Sequence, residues 1–236
     1  MLRPGLAVLV ATVVSYPVGL ALGGGLVLPV LNTAAAYAAM VVLLRRGRRR
    51  QAVLLMLCWA ATLAVTATLT FALWPSPPDA RVVNGPAYRE EMFHWIRTGE
   101  GREGHPAEFI PQHLLHLAAF VALSLATASA ASMALGAVLM NYMAFYVASL
   151  YRAGVDARTV ALVGWQPWAL GRVAAFTVLG VVLAEPLLAR LWAYPYAGWR
   201  AARPYLAVGA AGIAADWILK ALLAGQWREW LRAAMP

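Results

Sequence analysis

The chain has 236 residues, of which 62% are hydrophobic and only 12% charged. A soluble globular domain carries about 25% charged residues, so this composition excludes that class and points to an all-α, polytopic integral membrane protein. The formal charge of +9 does not mark a nucleic-acid partner, because five arginines crowd one short stretch, Arg45-Arg46-Gly47-Arg48-Arg49-Arg50, between two apolar runs. Basic clusters beside membrane spans orient the chain and touch anionic lipid headgroups.

Residues 5–44 are almost wholly apolar. As one helix they would measure about 60 Å, twice the hydrocarbon thickness of a bilayer. Gly23-Gly24-Gly25 divides them into spans at 5–22 and 27–44, with Pro17 a kink in the first and Pro29 suited to the first turn of the second. The start, Met1 to Leu22, has the basic-then-apolar character of a signal peptide, but a second apolar run follows at once, and a retained first span is expected.

A third span, 52–74, closes at Trp74 and the helix-ending Pro75-Ser76-Pro77-Pro78. The arginine stretch places the N-terminus in the cytoplasm and the following segment, 75–111, outside it. That segment is an extracytoplasmic loop inserted in a single domain of residues 1–236 in the cell membrane.

Residues 112–151 are again too long for one span. A break near Ala131-Ser132 gives 112–131 and 133–151, with Ser124, Ala128, Ser132 and Gly136 as a small-residue packing ridge. Undivided, they would reduce seven spans to six. Residues 152–169 read as an interfacial loop anchored by Trp165 and Trp168. A sixth span at 170–192, a turn through Tyr194-Pro195-Tyr196 and a seventh span at 205–224 follow. The tail from Gln226 to Met235, with Trp227, Trp230 and Leu231, reads as a separate amphipathic stretch on the membrane surface. Cys58, the single cysteine, cannot form an intrachain disulfide and is expected as a small core residue.

Function is sought in the one long polar island, Glu90 to His116. It holds all four histidines and five of the ten acidic residues. Glu90 and Glu91 share a helix face with His94, and His113 and His116 stand three apart at the mouth of the fourth span. The glycines between them allow the halves to fold together. Imidazole and carboxylate donors suit zinc, and also iron, manganese or copper. The set thus predicts a metal-dependent enzyme, most simply a zinc hydrolase acting on a lipid headgroup or peptide. His94, His113 and His116 would be ligands and Glu90 or Glu91 the general base. His105, in the connecting loop, is the poorest candidate.

Within the spans, Asp216 and Lys220 stand four apart in the order that favours an ion pair. Asp216 could also orient a histidine ligand, and Lys220, Asn32 and Tyr146 belong to a polar cavity beneath the island. Tyr16, Thr66, Thr68 and Thr70 fall at the same depth. Glu185, before Pro186, is expected to cap a kink or to meet Arg190 near the surface, and no role is assigned to it. Two other functions compete: a small-solute transporter using Asp216 and Lys220, and a non-catalytic subunit that meets a membrane protein partner.

Glu90-Glu91 and Phe109-x-x-x-His113 resemble pieces of the glutamate and histidine motifs of the CAAX-type intramembrane proteases. Trp95 stands where that family has arginine, and no histidine follows His116. The ceramidase and adiponectin-receptor type of seven-span zinc hydrolase is similar in size and span count, but its last-span histidines have no counterpart here. No family assignment follows from either.

Overall fold

The computed structural model describes residues 2–76, 78–194 and 196–236. Met1, Pro77 and Pro195, which belong to the expected start and to two expected turns, lie outside the described residues. The described chain is helical throughout, without strands. Its long helices are α1 (Leu2–Ala21), α2 (Val27–Arg45), α3 (Arg49–Leu73), α5 (Pro106–Thr127), α6 (Ala130–Arg152), α8 (Pro167–Trp192) and α9 (Gly198–Ala234). Between them lie α4 (Gly85–Thr98) and a short α7 (Ala157–Thr159) that runs on into one π-helical turn. Six of the described helices are long and apolar enough to cross a membrane, and α1 adds the apolar stretch Gly5–Ala21. Large apolar side chains such as Leu69, Leu115, Val208 and Leu222 face outward, as expected when the surrounding solvent is lipid.

Contacts show the long helices alternating in direction. At one end, the arginine end, Arg49 at the start of α3 grips Glu185 late in α8 through two bonds of 2.6 and 2.5 Å. There too Arg45 lies over the Trp192 ring and Arg49 over Tyr205. At the other end, Gly25 after α1 donates to the Arg81 carbonyl, and Arg152 at the end of α6 caps carbonyls of Phe71 and Trp74. Arg228 of α9 reaches the Trp95 carbonyl of α4 at that same end. Six of these helices are candidate membrane spans, and α1 packs beside α2 and α3.

Four elements differ from the sequence reading. The hairpin between α5 and α6 turns at Ala128 and Ser129, both left-handed (φ 49° and 66°), not at Ala131-Ser132. The small-residue ridge is therefore folded across the turn, where Ser124 donates to Ser132 (2.8 Å) and Ser129 to the Gly180 carbonyl (2.6 Å). The tail is no separate surface helix but the last quarter of the 37-residue α9. Leu231 is buried there, and the Trp227 indole donates to the Val163 carbonyl. Segment 75–111 is no open loop, since α4 docks on the bundle through buried Met92, Trp95 and Ile96. Cys58 is exposed on the outer surface of α3.

A buried polar knot ties α1, α2, α3 and α6. Tyr16 donates to Asn141 (2.6 Å), Asn141 to Asn32 (2.9 Å) and Asn32 to Ser15 (2.7 Å), while Trp59 donates to the Asn32 carbonyl. Each amide is satisfied, as a hydrocarbon interior demands.

Candidate functional site

Helices α3, α6, α5 and α8 pack in a ring, each against the next, with sparse contact across the middle between α6 and α8. The ring encloses a cavity of about 70 Å³, room for a few water-sized groups. Its lower wall is apolar, with Trp59, Phe120, Met133, Met140, Val173 and Phe176. Its upper end is polar, with Gln112, His113 and His116 from α5, Tyr142 from α6, Arg172 from α8, Tyr88 from α4 and Glu103 from the connection between α4 and α5.

The spacing of His113, His116 and Phe120 puts all three on one face of α5, so a single helix supplies both the polar and apolar lining. Glu103 is carried inward by the turn Arg102–Gly104. Glycine suits both ends of that turn. Gly101 has φ +115°, and a side chain at Gly104 would stand 3.1 Å from the Trp95 indole nitrogen.

Two ion-paired groups form the roof. Glu103 meets Lys220 at 2.8 Å, and the Lys220 ammonium sits 4.5 Å from the Phe109 ring centroid. Lys220 is 1% exposed and Asp216 0%, which at membrane depth would be prohibitive without partners. Asp216 finds His113, whose Nδ1 lies 3.1 Å from Oδ2, and Arg172, whose Nη1 lies 3.5 Å from the same oxygen. With Nδ1–H donating to Asp216, the Nε2 lone pair of His113 accepts from Arg172 Nη1. Both ring nitrogens are engaged. Arg172 spends only Nη1 on protein. Its Nε and Nη2 donors have no partner among the described residues. Tyr88, stripped of water by its surroundings, has its phenol held far above the ordinary value, so it stays a neutral donor at the cavity.

Asp216 and Lys220 therefore do not pair with each other as the spacing predicted. Asp216 does orient a histidine ring nitrogen. The expected metal set does not assemble. Glu91 grips Arg102 at 2.9 and 3.0 Å, Glu90 is exposed beside Arg89, and His94 is exposed and 3.8 Å from Glu100. His113 has its free lone pair taken by a guanidinium, with a second cation, Lys220, close by, a setting that repels a metal ion. Only His116 of the five reaches the cavity with His113. Among the described residues no group of three or more His, Cys, Asp or Glu is placed to hold a metal. Asn32 belongs to the structural knot, and Tyr146 is buried beside Tyr88 and Phe93; neither lines the cavity.

Glu103, Gln112, Arg172, Tyr88 and Tyr142 are the polar cavity residues missing from the sequence reading. Arg172 carried a legible signal, an arginine five positions inside an apolar helix, which membranes tolerate only with a partner or a cavity. Glu103 carried none, since its inward course is a property of the folded connection.

Fold and site together define a polytopic helical membrane protein with a charged roof over an internal cavity. No family model matches the chain, and no curated protein or solved structure matches it.

Proposed function

We propose that the chain is a membrane transporter for a small organic oxyanion, a carboxylate or phosphate ester, held by Arg172 inside the ring of α3, α6, α5 and α8. The observation that carries this reading is the pair of unpartnered donors, Nε and Nη2, of a guanidinium lining a cavity between membrane-crossing helices. That edge of arginine matches an oxyanion with two parallel bonds. Gln112, His116 and Tyr142 add polar contacts around it, and Phe120, Met140 and Phe176 receive the hydrocarbon part of the solute. Glu103 and Lys220 close the roof, and release of that pair opens the cavity at the island end. The arginine end faces the cytoplasm, and the roof faces the opposite side.

Uptake of labelled butyrate and labelled inorganic phosphate into liposomes containing the purified protein tests the proposal. Hydrogen bonds to a charged group contribute about 1.5–3 kcal/mol. Arg172→Gln should therefore weaken uptake roughly 10- to 100-fold, and Arg172→Lys, which keeps the charge but loses the fork, should fall between. Protein-dependent uptake that survives Arg172→Gln unchanged, or none for either solute, refutes it.

A further inference from the structure

A second concavity lies on the outer surface at the arginine end, far from the roof. Leu6 and Leu9 of α1, Leu43 of α2 and Leu54 and Cys58 of α3 line a groove of about 670 Å³. Its mouth is polar, formed by Arg46 and Gln51. The side-chain carbonyl oxygen of Gln51 is buried and without a partner among the described residues. The acid nearest this end, Glu185, is already taken by Arg49. Among the described residues no salt bridge involves Arg45, Arg46, Arg48 or Arg50, and all four are exposed.

We propose that this groove is a binding site for one anionic glycerophospholipid drawn from the surrounding bilayer. Its acyl chain lies between α1, α2 and α3, its phosphate meets Arg46 and the neighbouring arginines, and a headgroup hydroxyl donates to Gln51 Oε1. The dimensions suit a chain. From Gln51 to Cys58 is seven residues of helix, about 10 Å, against roughly 15 Å of hydrocarbon in one leaflet. Excess positive charge at the mouth selects a lipid of net negative charge over a zwitterion, and basic pockets between helices at the headgroup level are suited to that role. The site stands independently of the transport reading, since no groove residue lines the internal cavity.

Cys58 provides a native reporter, being the single cysteine and lying at the inner end of the groove. The full-length protein, delipidated in detergent, is treated with N-ethylmaleimide while dioleoylphosphatidylglycerol or dioleoylphosphatidylcholine is titrated in. Phosphatidylglycerol should protect Cys58 at concentrations about tenfold below those of phosphatidylcholine, the order expected for one or two arginines on an anionic headgroup. Arg46→Ala combined with Gln51→Ala should erase the difference, with an unchanged elution profile confirming the fold. Equal protection of the wild-type protein by both lipids, or protection by neither, overturns the proposal without reference to any variant. So does a preference for phosphatidylglycerol that persists in the well-folded double variant.

Discussion

The Glu103–Lys220 pair invites a double-mutant cycle, because its two members are held very differently. Lys220 is 1% exposed in the body of α9, whereas Glu103 rides on a short turn that follows Gly101 and ends at Gly104. Glu103→Gln leaves a buried ammonium with weaker compensation, a situation that costs about 3–5 kcal/mol. The Phe109 ring 4.5 Å away and the Asp216 carboxylate one helical turn earlier remain, which holds the expected loss to about 3 kcal/mol. Lys220→Met frees Glu103 to swing outward on its glycines, and the loss should be about 1 kcal/mol. The double variant, apolar below and neutral above, should be close to wild type, since replacing a buried ion pair by groups of similar volume is often neutral. Unfolding in mixed micelles of increasing denaturing detergent, followed by tryptophan fluorescence, gives the order. Lys220→Met as damaging as Glu103→Gln would refute the asymmetry, and with it the description of the turn as a displaceable roof.

Two further outcomes follow from the bundle. Asn141→Leu leaves the Asn32 side-chain oxygen without its donor and the Tyr16 hydroxyl with only the 3.4 Å contact to the Leu63 carbonyl, for a loss of about 2 kcal/mol by the same unfolding assay, against less than about 1 for Tyr16→Phe; an equal loss in both would deny Asn141 its place at the centre of the knot. Ala128→Gly removes a Cβ from a left-handed residue (φ 49°) and should stabilise by about 1 kcal/mol. Ala137→Gly, in the buried interior of α6, should cost about as much; loss of stability at Ala128 would show that the turn is not under backbone strain.

The path of the chain is largely legible in the order of its residues. Gly23-Gly24-Gly25 does separate two helices, the arginine stretch does stand between two others, and Trp74 does end α3. The departures have local causes. Ala128 and Ser129 carry no turn signature, yet adopt left-handed conformations because the hairpin tip is held by Ser124, Ser132 and the Gly180 carbonyl. Trp227 and Leu231 read as a surface-seeking face because the residues they pack with, Val163 and Trp168 among them, are remote in sequence. Glu185 meets Arg49, 136 positions away, and not Arg190, which is five positions away. Of the expected site, the place of His113 and His116 on one face at the head of α5 follows from spacing, while the Asp216–His113 contact needed the fold, and Glu90, Glu91 and His94 turn away from it with α4.

Sequence alone determined the apolar, multi-span helical character of this chain and the place of its polar island between two long apolar helices. Those properties sum over residues, because the cost of placing each side chain in hydrocarbon depends little on distant partners. Only the tertiary structure decided which charges meet. The choice among Asp216, Lys220, Glu103, His113 and Arg172 depends on the rotation and relative depth of three helices and on one inward-pointing turn. A shift of one residue turns a helical side chain by about 100°, so no count of spacings along the chain can specify those pairs.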